Sequence, residues 1–200
     1  MKGIRRALSL AILGLPAWIV PALGIELTVD RRSRLAAGEA IVSVMPDDRG
    51  AAARIEAGIE IAAPPAKVWD VMLDCARSAR FIRGLESCRV IEADPAGRWD
   101  VREHQVNWLS IMPRLRTVFR SQYETQRTIA FRRVGGDVPI LEGAWRLEPI
   151  KAGAATRLHY EVRIGLAGPV PDFMVRSAIE NDLPRTLAAL REEVLVDARR

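Results

Sequence analysis

Glu103 and His104 stand side by side, a carboxylate and an imidazole of the kinds that take and give protons near neutral pH. The stretch around them, Trp99 to Asn107, reads as a β-strand, and adjacent strand side chains point to opposite faces. The two therefore cannot act together on one ligand. Glu103, Gln105 and Asn107 share parity with Trp99 and Val101 instead. With Trp99 turned inward, these three line the concave face of a sheet. Buried polar groups are costly there unless satisfied, and cavity walls place a few of them to orient a ligand. An edge strand, or a bulge that reverses parity after Val101, puts them in solvent instead. Glu103 is the best single candidate to meet the polar head of a ligand. As the general base of an enzyme it would need a pKa raised by desolvation, with Tyr123 or Tyr160 donating the proton.

Other side chains carry weaker signals. Tyr123 and Tyr160 share parity with apolar neighbours, so they either offer hydroxyls to an interior or sit in the core with partners elsewhere. Trp145 reads as core before ligand platform. His104 alone reads as solvated, and so does His159, which falls on a charged face with Arg157 and Glu161. Phe81, Ile82, Phe173 and Met174 fall where a cavity mouth is expected, and Met adapts well to varied ligands. Trp108, Ile111 and Met112 form an apolar cluster that packs under the last helix or touches a lid or membrane. The row Arg114, Arg116 and Arg120 suits a solvated face that discourages edge pairing better than a site for anionic headgroups. Cys75 and Cys88 are either bridged or two buried thiols. Without a CxxC, and with only two histidines, no zinc set is expected, and no phosphate loop or cofactor motif is visible.

The elements that must position these residues follow from periodicity. Ala40 to Val44 and Ala53 to Ala62 read as two strands joined by a turn at Asp47-Asp48-Arg49-Gly50. Pro64-Pro65 opens a short helix with Val68, Trp69, Met72 and Leu73 on its apolar face. A second short helix covers Ala76 to Arg83 and ends at Gly84. From Leu85 to Leu166 the period is two. Leu115, Thr117, Phe119, Ser121 and Tyr123 share one face, as do Leu141, Gly143, Trp145 and Leu147, and also Leu158, Tyr160, Val162 and Ile164. The opposite face is ionic, which suits an antiparallel sheet with one side in water. Val175, Ile179, Leu183, Leu187, Leu190 and Val194 then form a helical stripe, interrupted by Pro184. One greasy sheet face and one amphipathic helix must pack together. If the sheet curves strongly, the helix cannot fill its hollow, and an apolar pocket results.

At 200 residues the chain suits one domain, and 49% hydrophobic with 28% charged residues is a globular balance. The net charge of +5 is misleading as a sign of nucleic-acid binding. Lys2, Arg5 and Arg6 account for three of the thirty basic residues, and beyond residue 24 there are 27 basic against 25 acidic groups. Those three precede an apolar run from Ala7 to Val20 and the small residues of Pro21-Ala22-Leu23-Gly24, the layout of a signal peptide cleaved before Ile25. The run is short and interrupted for a membrane anchor, which needs roughly 20 residues. The expected organisation is a signal peptide over 1–24, an extension with one strand over 25–52, and the main domain over 53–197. Export to the periplasm or beyond makes a Cys75–Cys88 bridge plausible, closing a loop worth roughly 3 kcal/mol.

The run from Ile59 to Asp74, with Ala63-Pro64-Pro65-Ala66-Lys67-Val68-Trp69 at its centre, resembles the opening of the START-like (SRPBCC) superfamily. Gly143 to Pro149 followed by Thr156 to Tyr160, and the entry to the closing helix at Pro171, fit the same resemblance. Together they cover roughly residues 53 to 195, and the bacterial types they resemble are polyketide cyclase/dehydrase and coenzyme-Q-binding (Coq10-like) proteins. The resemblance implies a helix-grip α+β fold, a curved antiparallel sheet around a long C-terminal helix. It also implies a lipid, quinone or aromatic polyketide-like ligand inside. The leading expectation is an exported carrier of a small hydrophobic ligand, with Glu103, Gln105, Tyr123, Trp145, Tyr160, Phe81, Phe173 and Met174 around it. The alternatives are a cyclase or dehydratase that uses Glu103, and an envelope interaction protein with a filled interior.

Overall fold

The computed structural model describes residues 28–107, 114–166 and 170–199. The expected signal peptide and the cluster Trp108, Ile111 and Met112 lie outside them. The chain first forms α1 (Val29–Ala36), where the sequence shows little pattern. Only Leu35 of this helix is buried, so no apolar stripe announces it. Its start is set by Thr28, whose side chain accepts from Arg31 N at 3.3 Å, and its end by Gly38 at φ +81°.

Strands β1 (Ile41–Met45) and β2 (Ala53–Ile61) form the expected hairpin. The Asp47 carboxylate shapes its turn by accepting from Arg49 N and Ala51 N. Helix α2 (Pro65–Leu73) begins at a proline, whose missing N–H costs nothing in a first turn. Asp74 then ends α2 and caps α3 (Cys75–Phe81), its extended backbone breaking the helix while its side chain accepts from Ala76 N. Helix α3 stops two residues earlier than the sequence suggests, because Ile82 is extended and Gly84 turns the chain at φ +73° into the next strand.

Six strands follow, β3 (Leu85–Ala93), β4 (Trp99–Val106), β5 (Leu115–Glu124), β6 (Thr128–Gly136), β7 (Ile140–Ile150) and β8 (Ala155–Gly165), and then α4 (Asp172–Ala198). The eight strands make one antiparallel sheet in the order β1-β2-β8-β7-β6-β5-β4-β3. Chain neighbours β2 and β3 therefore sit near opposite ends of the sheet, and α2 and α3 span the gap. Val175, Ile179, Leu187, Leu190 and Val194 of α4 are buried, as its stripe requires. The helix lies on β1, β2, α2 and α3. It does not pack closely along β5 to β7, so the middle of the sheet faces open space. This is the helix-grip arrangement.

Gly143 in β7 marks a close approach between neighbouring strands. A Cβ there would lie 2.1 Å from the Glu161 carbonyl oxygen and 3.0 Å from Phe131 Cζ. Only glycine lets β7 approach β8 so closely while the Phe131 ring covers it. The Gly143→Ala variant is expected to lose about 2 kcal/mol, since the clash is with backbone that cannot swing away. Urea unfolding of the two proteins measures this, and an unchanged midpoint would show that the strands can part cheaply.

Candidate functional site

The hollow between sheet and α4 holds two adjoining lobes that share part of their walls. The outer lobe, about 270 Å³, runs from Ile55, Leu141 and Ile164 to Ile179 and Leu183. The inner lobe, about 110 Å³, reaches Phe81, Ser121, Tyr123 and Leu190. Ile82, His104, Phe119, Phe131, Trp145 and Thr186 border both, so they mark the junction.

Aromatic rings form much of the wall. Trp145 and Tyr160, opposite each other on β7 and β8, stack with centroids 3.8 Å apart. Phe131 stacks on Tyr160 at 6.2 Å, and Phe119 meets Phe131 edge-on at 6.2 Å. Tyr123 packs edge-on to Trp69 at 5.8 Å. Tyr123, Tyr160 and Trp145 therefore all line the hollow, and Phe81 closes its inner end. Phe173 and Met174 do not line it. They are 64% and 48% exposed at the start of α4, because the buried stripe there runs through Val175.

The polar residues on the wall differ from those expected. In β4 the inward parity is Asp100, Arg102, His104 and Val106, set by register with β5, where His104 lies opposite Thr117 and Asp100 opposite Ser121. Glu103 and Gln105 point to the outer face, and the inward orientation expected for them is corrected. Trp99 shares that outer face, covered by the Arg120 guanidinium 3.9 Å from its ring. Glu103 is held there by Arg89 and by Arg116, whose Nε donates at 2.5 Å. Those two arginines pull its pKa below the usual carboxylate value, opposite to what a general base needs. Asn107 follows the strand and bonds Glu86 at 3.4 Å, away from the hollow. His159 is on the charged face, 3.2 Å from Glu148.

The inner charges are matched. Arg102 Nε donates to Asp100 Oδ2 at 2.8 Å, and its Nη2 donates to the Leu73 carbonyl at 3.0 Å. Both side chains are almost fully buried. At the rim, Arg83 faces Asp182 of α4 at 3.4 Å. What remains unsatisfied is uncharged or nearly spent: His104 Nε2, the Tyr123 hydroxyl and Asp100 Oδ1 are buried without a hydrogen bond. Burial, helped by the nearby Arg102 charge, lowers the His104 pKa to about 4. Burial also raises Tyr123 and Tyr160, so both phenols are protonated at neutral pH.

The His104 shift predicts a pH dependence. A histidine that is harder to protonate when folded stabilises the unfolded state as pH falls below about 6.5. The cost reaches about 2 kcal/mol by pH 5 and grows until the pH falls through the folded pKa. Urea unfolding at pH 7 and pH 5 should show this loss in the wild type and much less of it in His104→Gln. Equal losses in both would mean that another group titrates.

Cys75 and Cys88 form a disulfide with Cα atoms 5.4 Å apart, joining the start of α3 to β3. Among the described residues no cluster of His, Cys, Asp and Glu is placed to hold a metal ion.

The sequence profile of the polyketide cyclase / dehydrase and lipid transport family matches residues 61–191. The chain belongs to that family. This START-like superfamily membership agrees with the fold, and solved structures repeat it. A STAR-related lipid transfer protein from Xanthomonas axonopodis superposes with a TM-score of 0.66 at 16% identity, over 78% of this chain and 94% of that one. The Zhui aromatase/cyclase from Streptomyces sp. R1128 gives 0.58 at 21% identity, over 74% and 93%. The lipid transfer and protein localization domain of human StarD13 gives 0.63 at 18%, over 78% and 84%. At these identities the likeness concerns the fold. No curated protein sequence matches. Within this polyketide cyclase / dehydrase and lipid transport fold, the inward stripe Asp100-Arg102-His104 is the feature that reading the sequence missed. Its signal was on the neighbouring strand: Arg116 and Arg120 share a face that only Glu103 and Trp99, not His104, could complement.

Proposed function

We propose that the protein is an exported binding and carrier protein that holds a small hydrophobic molecule between its sheet and α4. The observation that carries this reading is the two-lobed hollow, walled by Phe119, Phe131, Trp145, Tyr160 and aliphatic side chains, which α4 leaves open. Enclosed, mostly apolar cavities with a few convergent polar groups are where small ligands bind. Family membership supports the same reading, since relatives of this fold include a lipid transfer protein and an aromatase/cyclase. Peripheral contact with a membrane fits a carrier of this kind, and nothing in the charge balance calls for nucleic acid.

Export is supported by the basic and apolar layout of residues 1–24 and by the Cys75–Cys88 bridge, since disulfides persist in oxidising compartments. The enzymatic alternative built on Glu103 loses its base, because that carboxylate lies outside the hollow between two arginines.

The test is native mass spectrometry with lipid extraction on protein purified from its own cell envelope. A bound hydrophobic species released on unfolding is expected, on a chain whose N-terminus is Ile25. An empty protein that also fails to take up any apolar dye would overturn the carrier reading, and an intact N-terminus would overturn the cleavage.

A further inference from the structure

We propose that the cavity selects an uncharged molecule carrying a hydroxyl or carbonyl group, and that His104 is the residue that receives this group. The inference rests on the carrier reading and names the chemistry of its ligand.

Three observations meet at His104. It is the one ionisable side chain among the six that border both lobes, so a molecule in either lobe can reach it. Its ring is fixed, packed edge-on against Phe119 with centroids 4.8 Å apart, which aims the imidazole rather than leaving it to swing. Its Nε2 is buried without a hydrogen-bond partner. A buried polar atom left unpaired carries the full cost of its desolvation, and a ligand group placed against it recovers that cost. A neutral imidazole nitrogen can donate or accept according to tautomer, so either a hydroxyl or a carbonyl oxygen satisfies it.

The charges decide against an ionised ligand. The groups facing the hollow from β4 are Asp100 and Arg102, which pair with each other; from the α3–β3 connection, Arg83; and from α4, Asp182, which pairs with Arg83. Among the described residues no inward cation is left over to balance a carboxylate or phosphate, and moving an ion into such surroundings unpaired is costly. Tyr123 adds a second hydroxyl at the inner end, close to Asp100 and Ser121 and also uncharged at neutral pH. The stacked rings of Trp145, Tyr160 and Phe131 give a planar molecule a flat wall.

The experiment uses the purified full-length protein and the uncharged dye N-phenyl-1-naphthylamine, displaced at pH 7.5 by a matched set of naphthalene, 2-naphthol and 2-naphthoate. 2-Naphthol should displace the dye at concentrations at least about tenfold below 2-naphthoate, and about fivefold below naphthalene, because a site built to hydrogen-bond rejects analogues that lack the group. In His104→Leu the advantage of naphthol over naphthalene should vanish, while His104→Gln, which keeps a hydrogen-bonding end, should retain it. Each ratio is taken on one protein, so a general loss of stability does not imitate the effect. Equal or better displacement by naphthoate on the wild type overturns the proposal, as does a naphthol preference that survives in His104→Leu. If the wild type takes up no dye at all, the carrier reading falls and this inference with it; uptake without the predicted ranking sinks this inference alone.

Discussion

Replacing Arg102 by Met is expected to destabilise the protein by about 3–5 kcal/mol, the largest effect of any single substitution proposed for the cavity wall. The guanidinium lies almost wholly out of water, donating to Asp100 and to the last carbonyl of α2. Removing it leaves Asp100 as a buried charge with one oxygen already unpartnered, and it frees the Leu73 carbonyl as well. A double variant, Arg102→Met with Asp100→Asn, removes the charge problem along with the pair. It should recover more than half of the loss, because a buried ion pair costs so much desolvation that an uncharged replacement is often nearly neutral. Urea unfolding of the wild type, each single variant and the double variant completes the cycle. If the double variant is as unstable as the sum of the singles, the two groups act independently, and the pairing read from the geometry is not what holds this wall.

The same pair explains why part of the site was hard to read. The periodicity of β5, β7 and β8 placed their apolar residues inward, because greasy and ionic positions alternate cleanly along them. Ser121 and Thr117 came inward with Phe119 for the same reason. Strand β4 inverts that logic. Two of its apolar members, Trp99 and Val101, face outward, where Arg120 lies over the Trp99 ring, and two of its charged members, Asp100 and Arg102, face inward, where they neutralise each other. Hydropathy counts a buried ion pair as two exposed residues, so parity alone puts Glu103 inside. Only cross-strand register resolves it, and register depends on contacts between residues far apart in the chain. Helix α1 was obscure for a different reason. One buried residue, Leu35, gives no stripe to detect, whereas the five buried positions of α4 give one over about five turns. The α2–α3 break, by contrast, follows from one residue, since Asp74 both ends the first helix and caps the second.

Reducing the Cys75–Cys88 bridge is expected to cost roughly 3 kcal/mol, on the entropy of the 13-residue loop that it closes. In a domain of this size that corresponds to a fall in Tm of about 6–12 °C. The bond also holds α3, whose Phe81 borders the inner lobe and whose following residue, Ile82, borders both. On the side facing β3 the tie is covalent. On the side facing α4 it is the buried Phe81, which shares an apolar cluster with Leu187, Leu190 and Val194, and a row of ion pairs, Arg77 with Asp197 at 2.5 Å, Arg80 with Glu193 at 3.0 Å and Arg83 with Asp182 at 3.4 Å. All three arginines keep contact with solvent, and exposed pairs contribute little and weaken in salt. Once the disulfide is gone, α3 keeps only Ser78 and Phe81 as buried side chains, fewer than α2 or α4, and is the helix of the wall with the weakest remaining attachment. Bound dye should leave the Cys75→Ser, Cys88→Ser protein faster than the wild type, by about tenfold or more, and the difference should widen as salt is raised. Stopped-flow dilution of dye-loaded protein measures both rates. If the double variant unfolds earlier yet releases dye at the wild-type rate, the bridge steadies the fold without governing access, and the ligand must enter somewhere other than between α3 and α4.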